Sequence, residues 1–208
     1  MSLNLEKQFT FTSLANQETD RSSQQYGAYH HNPVNIAIHI AFVPVIMLCM
    51  FQLGTNTGPL FTLPEPFSIK NLPPNLGTIA GLLYTVLYIL MEPVAGSLLA
   101  PLLVGGTALV NHLTATYGPT ATYWGLAIQV VAWIAQFIGH GAFEGRAPAL
   151  LDNLVQAFFL APFFVWLEVL FSLGYRPQLK ARIDRAVMKE VSKFNEAKKG
   201  KGKGKGDS

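Results

Sequence analysis

Between Val34 and Gly174 the only ionic side chains are Glu65, Lys70, Glu92, Glu144, Arg146, Asp152 and Glu168, in a chain that is 50% hydrophobic and 13% charged over 208 residues. A soluble domain of this size needs far more charge on its surface. The sequence therefore predicts an all-α, polytopic membrane helical bundle. Runs such as Val34–Leu53, Leu76–Glu92, Val94–His112, Tyr123–Phe143 and Ala149–Leu173 are near the ~20 residues that ~30 Å of hydrocarbon demands, so about four to five crossings are expected.

The ends of the chain have a different character. Residues 1–25 form a polar arm rich in Ser, Thr, Asn and Gln, with no apolar core of a signal peptide, and 26–174 form the membrane-embedded domain. Residues 175–197 place Leu179, Ile183, Val187, Val191 and Phe194 at helical spacing with Lys and Arg between them, an amphipathic helix suited to a membrane face. Residues 198–208 alternate Lys and Gly and are expected to be disordered. Eleven of the 15 Lys and Arg follow Gly174, which predicts a cytosolic C-terminus and affinity for anionic lipid headgroups. No nucleic-acid-binding signature accompanies them. The lone Cys49 lies in an apolar run and reads as a small buried hydrophobe.

Within the apolar region one stretch is chemically dense: Tyr29-His30-His31-Asn32-Pro33-Val34-Asn35-Ile36-Ala37-Ile38-His39. Asn32-Pro33 reads as an N-cap and first helical residue. His39 then lies about two turns inside the first span, sharing a face with Asn35 at i−4. A core histidine bonded to a backbone carbonyl would account for His39 alone. All five histidines, however, His30, His31, His39, His112 and His140, sit at or in the apolar region. Ionisable groups at membrane depth face the bundle interior and mark functional sites, and several imidazoles together suit a transition metal.

Gln136, His140 and Glu144 fall at i, i+4 and i+8, so Gln136 or Glu144 could orient an imidazole, while pairing of Glu144 with Arg146 at the headgroups is the plainer reading. Gly96, Pro101, Gly105 and Gly106 interrupt the apolar run between Val94 and His112, and breakers at that density are tolerated where the backbone lines a cavity or packs on other helices, so irregularity is expected to collect here. Five full crossings would put His30, His39 and His140 near one membrane face and His112 near the other. Either His112 is a packing residue, or the broken segment brings it back.

His30-His31-Asn32-Pro33-Val34-Asn35 with Ile38-His39 and Val43-Pro44, Asn111-His112, Trp133, Gln136-Phe137, Gly139-His140-Gly141, Phe143-Glu144, Pro148-Ala149-Leu150, Asp152-Asn153-Leu154-Val155-Gln156, Ala161-Pro162 and Glu168 together resemble the fungal 2-hydroxy fatty acid dioxygenases. The resemblance covers roughly Tyr26 to Lys180. It implies an endoplasmic reticulum enzyme of phytosphingosine breakdown that uses Fe(II) and O2 to shorten a 2-hydroxy fatty acid by one carbon. It also implies His30, His39, His112 and His140 as iron ligands. Glu144 and Arg146 are the candidate catalytic residues; Arg146 could bind the carboxylate, although an arginine contacting headgroups is the plainer reading. Glu92 belongs to no motif of the resemblance and reads as structural. A membrane lipid or ion transporter using buried histidines is the alternative. A lipid hydroxylase or desaturase would carry HxxxH and HxxHH clusters, and this chain has neither spacing.

Overall fold

Asn32 and Pro33 start a helix as their chemistry requires. The Asn32 side chain accepts from the Val34 N–H at 2.9 Å, and Pro33 occupies the first turn, where a missing N–H costs nothing. Helix α1 (Pro33–Thr55) follows. In this computed structural model residues 32–144 and 156–203 are described; the whole N-terminal arm, His30, His31, Arg146, Asp152, Asn153 and the last residues of the Lys-Gly tail lie outside them.

After the Pro-rich loop, Asn75 caps α2 (Leu76–Met91) by accepting from the Thr78 N–H at 2.9 Å. Glu92 caps α3 (Pro93–Tyr117) through the Ala95 N–H and also meets Arg176 at 3.5 Å, which gives this carboxylate a structural role. Gly118, at φ 54°, turns the chain into α4 (Pro119–Ile138), which continues as a π-helical segment, Gly139–Glu144. A second π-helical segment, Gln156–Leu160, leads into α5 (Ala161–Ser172), and α6 (Pro177–Lys203) closes the described chain. No strand occurs among the described residues.

Long-range bonds fix the direction of each helix. Asn32 at the start of α1 bonds to Glu144 just past α4, whereas Thr55 at its end bonds to Thr114 near the end of α3. Helices α1 to α4 therefore run alternately up and down. Tyr84 and Tyr88 of α2 donate to the carbonyls of Phe158 and Phe159, and Trp166 donates to Ala95 O. These bonds lay α5 along α2, pointing toward Glu92 and so toward the same end as Asn32. The apolar core lies here, with Tyr88, Leu103 and Phe163 at its centre.

The distribution of polarity is the reverse of a soluble bundle. Leu82, Leu83, Val86, Leu90, Leu102, Val130, Val131 and Ile134 are exposed, while Thr55, Asn75, Thr78, Thr107, Asn111, Gln136 and His140 are buried. Helices α1, α3 and the unit Pro119–Glu144 are long and apolar enough to cross a membrane, giving three candidates, or four if α5 and α6, bent by 119°, count as one broken span. Helix α2, with 16 residues, extends about 24 Å, short of the ~30 Å hydrocarbon thickness.

Two expectations are corrected. The segment Val94–His112 is not broken or re-entrant: α3 runs unbroken through Pro101, Gly105 and Gly106. A proline forfeits its own N–H bond, a loss that packed neighbours can compensate, and Gly96 and Gly106 serve close approach instead. A Cβ at Gly96 would strike the Tyr88 carbonyl, and one at Gly106 would lie 2.6 Å from a Leu48 methyl. The apolar stripe of the C-terminal helix also turns inward. Ile183 and Val187 are buried in the protein core, and exposed Arg182, Arg185 and Lys189 are left on the surface. Helix α6 extends to Lys203, into the Lys-Gly segment.

Candidate active site

Two short i, i+4 pairs face each other where α1 begins and α4 ends: Asn35 and His39 on α1, Gln136 and His140 on α4 and its π-helical continuation. Their exposures are 0%, 5%, 5% and 3%, so all four are inside the protein. The imidazoles of His39 and His140 meet edge to face, with ring centroids 4.9 Å apart at 86°. Gly139 allows this approach: a Cβ there would sit 2.5 Å from Asn35 Oδ1 and 3.4 Å from the Ile38 terminal methyl.

His39 Nδ1 lies 2.9 Å from the Asn35 carbonyl oxygen. A carbonyl only accepts, so Nδ1 carries the proton and Nε2 carries the lone pair. The backbone-bonded core histidine suggested by the sequence is thus present, and the same bond fixes the orientation of its ring.

Glu144 lies one π-helical turn beyond His140. Its Oε1 accepts from the Asn32 backbone N–H at 2.8 Å and from Asn35 Nδ2 at 3.1 Å. The carboxylate therefore sits on the first turn of α1, where unsatisfied N–H groups and the helix dipole favour a negative charge. The i, i+4, i+8 spacing of Gln136, His140 and Glu144 survives as a common buried face, although the helix changes to π-helical winding at Gly139. The bridge from Glu144 back to Asn32 and Asn35 spans more than 100 residues, and the sequence offers no sign of it beyond Asn35 sharing a face with His39.

His112 is placed elsewhere. It is exposed near the end of α3, two residues before the Thr114 that bonds to Thr55. Thr55 lies 16 residues after His39 on one continuous helix, an axial rise of about 24 Å. The structure therefore does not bring His112 to His39 and His140, in keeping with a crossing count and not with a broken α3. Its neighbour Asn111 is buried, accepting from Asn75 Nδ2 at 2.7 Å and donating to Thr78 Oγ1 at 3.1 Å, which ties α3 to the cap of α2. His30 and Arg146 lie outside the described residues. Among the described residues no group of three or more His, Cys, Asp or Glu is arranged to hold a metal ion.

A family profile described as "2-hydroxy-palmitic acid dioxygenase Mpo1-like" matches residues 17–173. The chain is also 37% identical over 163 residues to the 2-hydroxy-palmitic acid dioxygenase MPO1 of Saccharomyces cerevisiae, covering 76% of this chain and 83% of that protein. No solved structure matches. The match spans both imidazole-bearing segments and the helices between them, and the chain belongs to the Mpo1-like family.

Proposed function

We propose that this chain is an Fe(II)-dependent dioxygenase of the endoplasmic reticulum membrane that oxidises a 2-hydroxy fatty acid to the acid one carbon shorter, within sphingolipid breakdown. The observation that carries the reading is the buried His39–His140 pair, with the His39 tautomer set by Asn35, in a chain of this family. Imidazole nitrogens without thiolates suit an iron that keeps open positions. His39 and His140 would hold it, joined by His30 from the segment preceding α1; His112 has no part in this site. Bound iron would supply O2 activation and a chelating centre for a 2-hydroxy carboxylate.

The protein supplies position and exclusion of water. Asn35 orients His39 through its carbonyl and holds Glu144 through its amide, so Glu144 is a positioning residue that locks the π-helical segment to α1. Arg146 would meet the substrate carboxylate. The apolar exterior admits the acyl chain from the bilayer. The overall change converts the 2-hydroxy acid and O2 into the shortened acid, CO2 and water. The electrons that reduce O2 come from C1 and C2 of the substrate, so the reaction needs no external reductant.

The test is to give detergent-purified, Fe(II)-loaded protein carboxyl-labelled 2-hydroxypalmitate under O2. Labelled CO2 with equimolar pentadecanoate is expected, and none from palmitate. Intact 2-hydroxypalmitate would overturn the reading, and its movement across proteoliposomes would favour a transporter.

A further inference from the structure

The facing pairs contain two polar atoms that protein chemistry leaves unmatched. Asn35 Oδ1 and Gln136 Nε2 are buried and have no hydrogen-bond partner among the described residues. One is an acceptor and the other a donor, each one helical turn from an imidazole of the His39–His140 pair. Buried groups of this kind carry their full desolvation cost, so they are rare in folded proteins and call for an explanation. Asn35 uses its Nδ2 on Glu144, which fixes the amide orientation and turns Oδ1 toward Gly139. There the oxygen packs directly on the glycine, since a Cβ would lie 2.5 Å from it. Gln136, unlike the expectation from its spacing, does not orient an imidazole through Nε2.

Resting on the function proposed above, we infer that Gln136 Nε2 and Asn35 Oδ1 recognise the head group of the 2-hydroxy acid, Gln136 by donating to a carboxylate oxygen and Asn35 by accepting the proton of the C2 hydroxyl. The complementarity is specific. A 2-hydroxy carboxylate offers an acceptor and a donor on adjacent carbons, whereas an unsubstituted fatty acid carboxylate leaves Asn35 Oδ1 unmatched. A site with a buried polar group discriminates strongly against a ligand that lacks the matching group, because the group is then left unpaired. Asn35 thereby becomes the residue that separates 2-hydroxy acids from ordinary ones, and Gln136 a residue that strengthens binding of both.

The experiment measures the unfolding temperature and the Kd for 2-hydroxypalmitate, 2-methoxypalmitate and palmitate, using full-length wild type, Gln136→Leu and Gln136→Glu in detergent. Gln136→Leu removes an unmatched polar group, so its Tm should equal or exceed that of wild type. Its Kd for 2-hydroxypalmitate should rise about ten- to hundredfold, the loss of one hydrogen bond to a charged group. Gln136→Glu keeps the shape, replaces the donor by a carboxylate, and should weaken binding at least as much. On wild type, 2-methoxypalmitate keeps the oxygen, lacks the proton, and should bind no better than palmitate. A Gln136→Leu protein with lowered Tm and unchanged Kd would overturn the inference, making Gln136 a structural residue satisfied by water. So would equal affinity of wild type for all three acids. Wild type that binds none of them would instead bring down the substrate reading on which the inference rests.

Discussion

A carboxylate on the first turn of a helix can hold that turn or exchange a proton, and the geometry of Glu144 separates the two. Its Oε1 serves both the Asn32 N–H and the Asn35 amide. Glu144→Gln retains a carbonyl oxygen for both donors and should keep bound iron and turnover within about tenfold of wild type. Glu144→Ala leaves two donors unmet and should cost about 1–3 kcal/mol, read as a lowered Tm. Loss of turnover in Glu144→Gln with Tm intact would make it a proton-transfer group. At this scale the members of the buried His39–His140 pair were legible. An imidazole two turns inside an apolar run is conspicuous, and so is His140 between two glycines. His112 was not legible in the same way, since residue type and apolar setting do not distinguish it from the others. Its axial position does, and that depends on whether a helix is continuous.

The continuity of α3 is where the sequence misleads. Glycine and proline are read as breakers because in water an exposed backbone is solvated when a helix opens. Inside a bundle the same glycines become contact surfaces. Gly96 packs on the Tyr88 carbonyl, whereas Gly105 faces open space. Opposite outcomes follow for one substitution. Gly105→Ala should stabilise the protein by about 0.5–1 kcal/mol, the usual gain in a helix interior. Gly96→Ala must push α2 from α3 and should lower Tm or abolish folding, which thermal unfolding in detergent would resolve. Equal effects at both positions would mean that α2 and α3 do not approach there. The long apolar helices, the Asn32 cap and the amphipathic C-terminal helix were readable from the sequence. What was not readable is that Ile183 and Val187 pack on protein, because periodicity identifies an apolar face and not what covers it.

Viewed as a whole, the molecule has two unlike ends. Asn32, Glu144, Glu92 and Arg176 lie at one, together with the start of α6, and Thr55, Thr114 and the Pro-rich loop lie at the other. The basic C-terminal helix therefore shares an end with the His39–His140 pair. If that end is cytosolic, as clustered Lys and Arg favour, substrate reaches the site from the cytosolic leaflet. Trypsin added to sealed microsomes should then remove the Lys-rich C-terminus without detergent, as a C-terminal epitope would report. Protection until detergent is added would invert the topology.

The central claim is that the metal site lies at His39 and His140, away from His112. It is tested most directly by the iron content of full-length protein loaded anaerobically with Fe(II), washed, and analysed by elemental mass spectrometry. Wild type and His112→Ala should each hold about one iron per chain, while His39→Ala and His140→Ala should hold almost none. Iron lost in His112→Ala and retained in the other two, with all four proteins folded, would contradict the account.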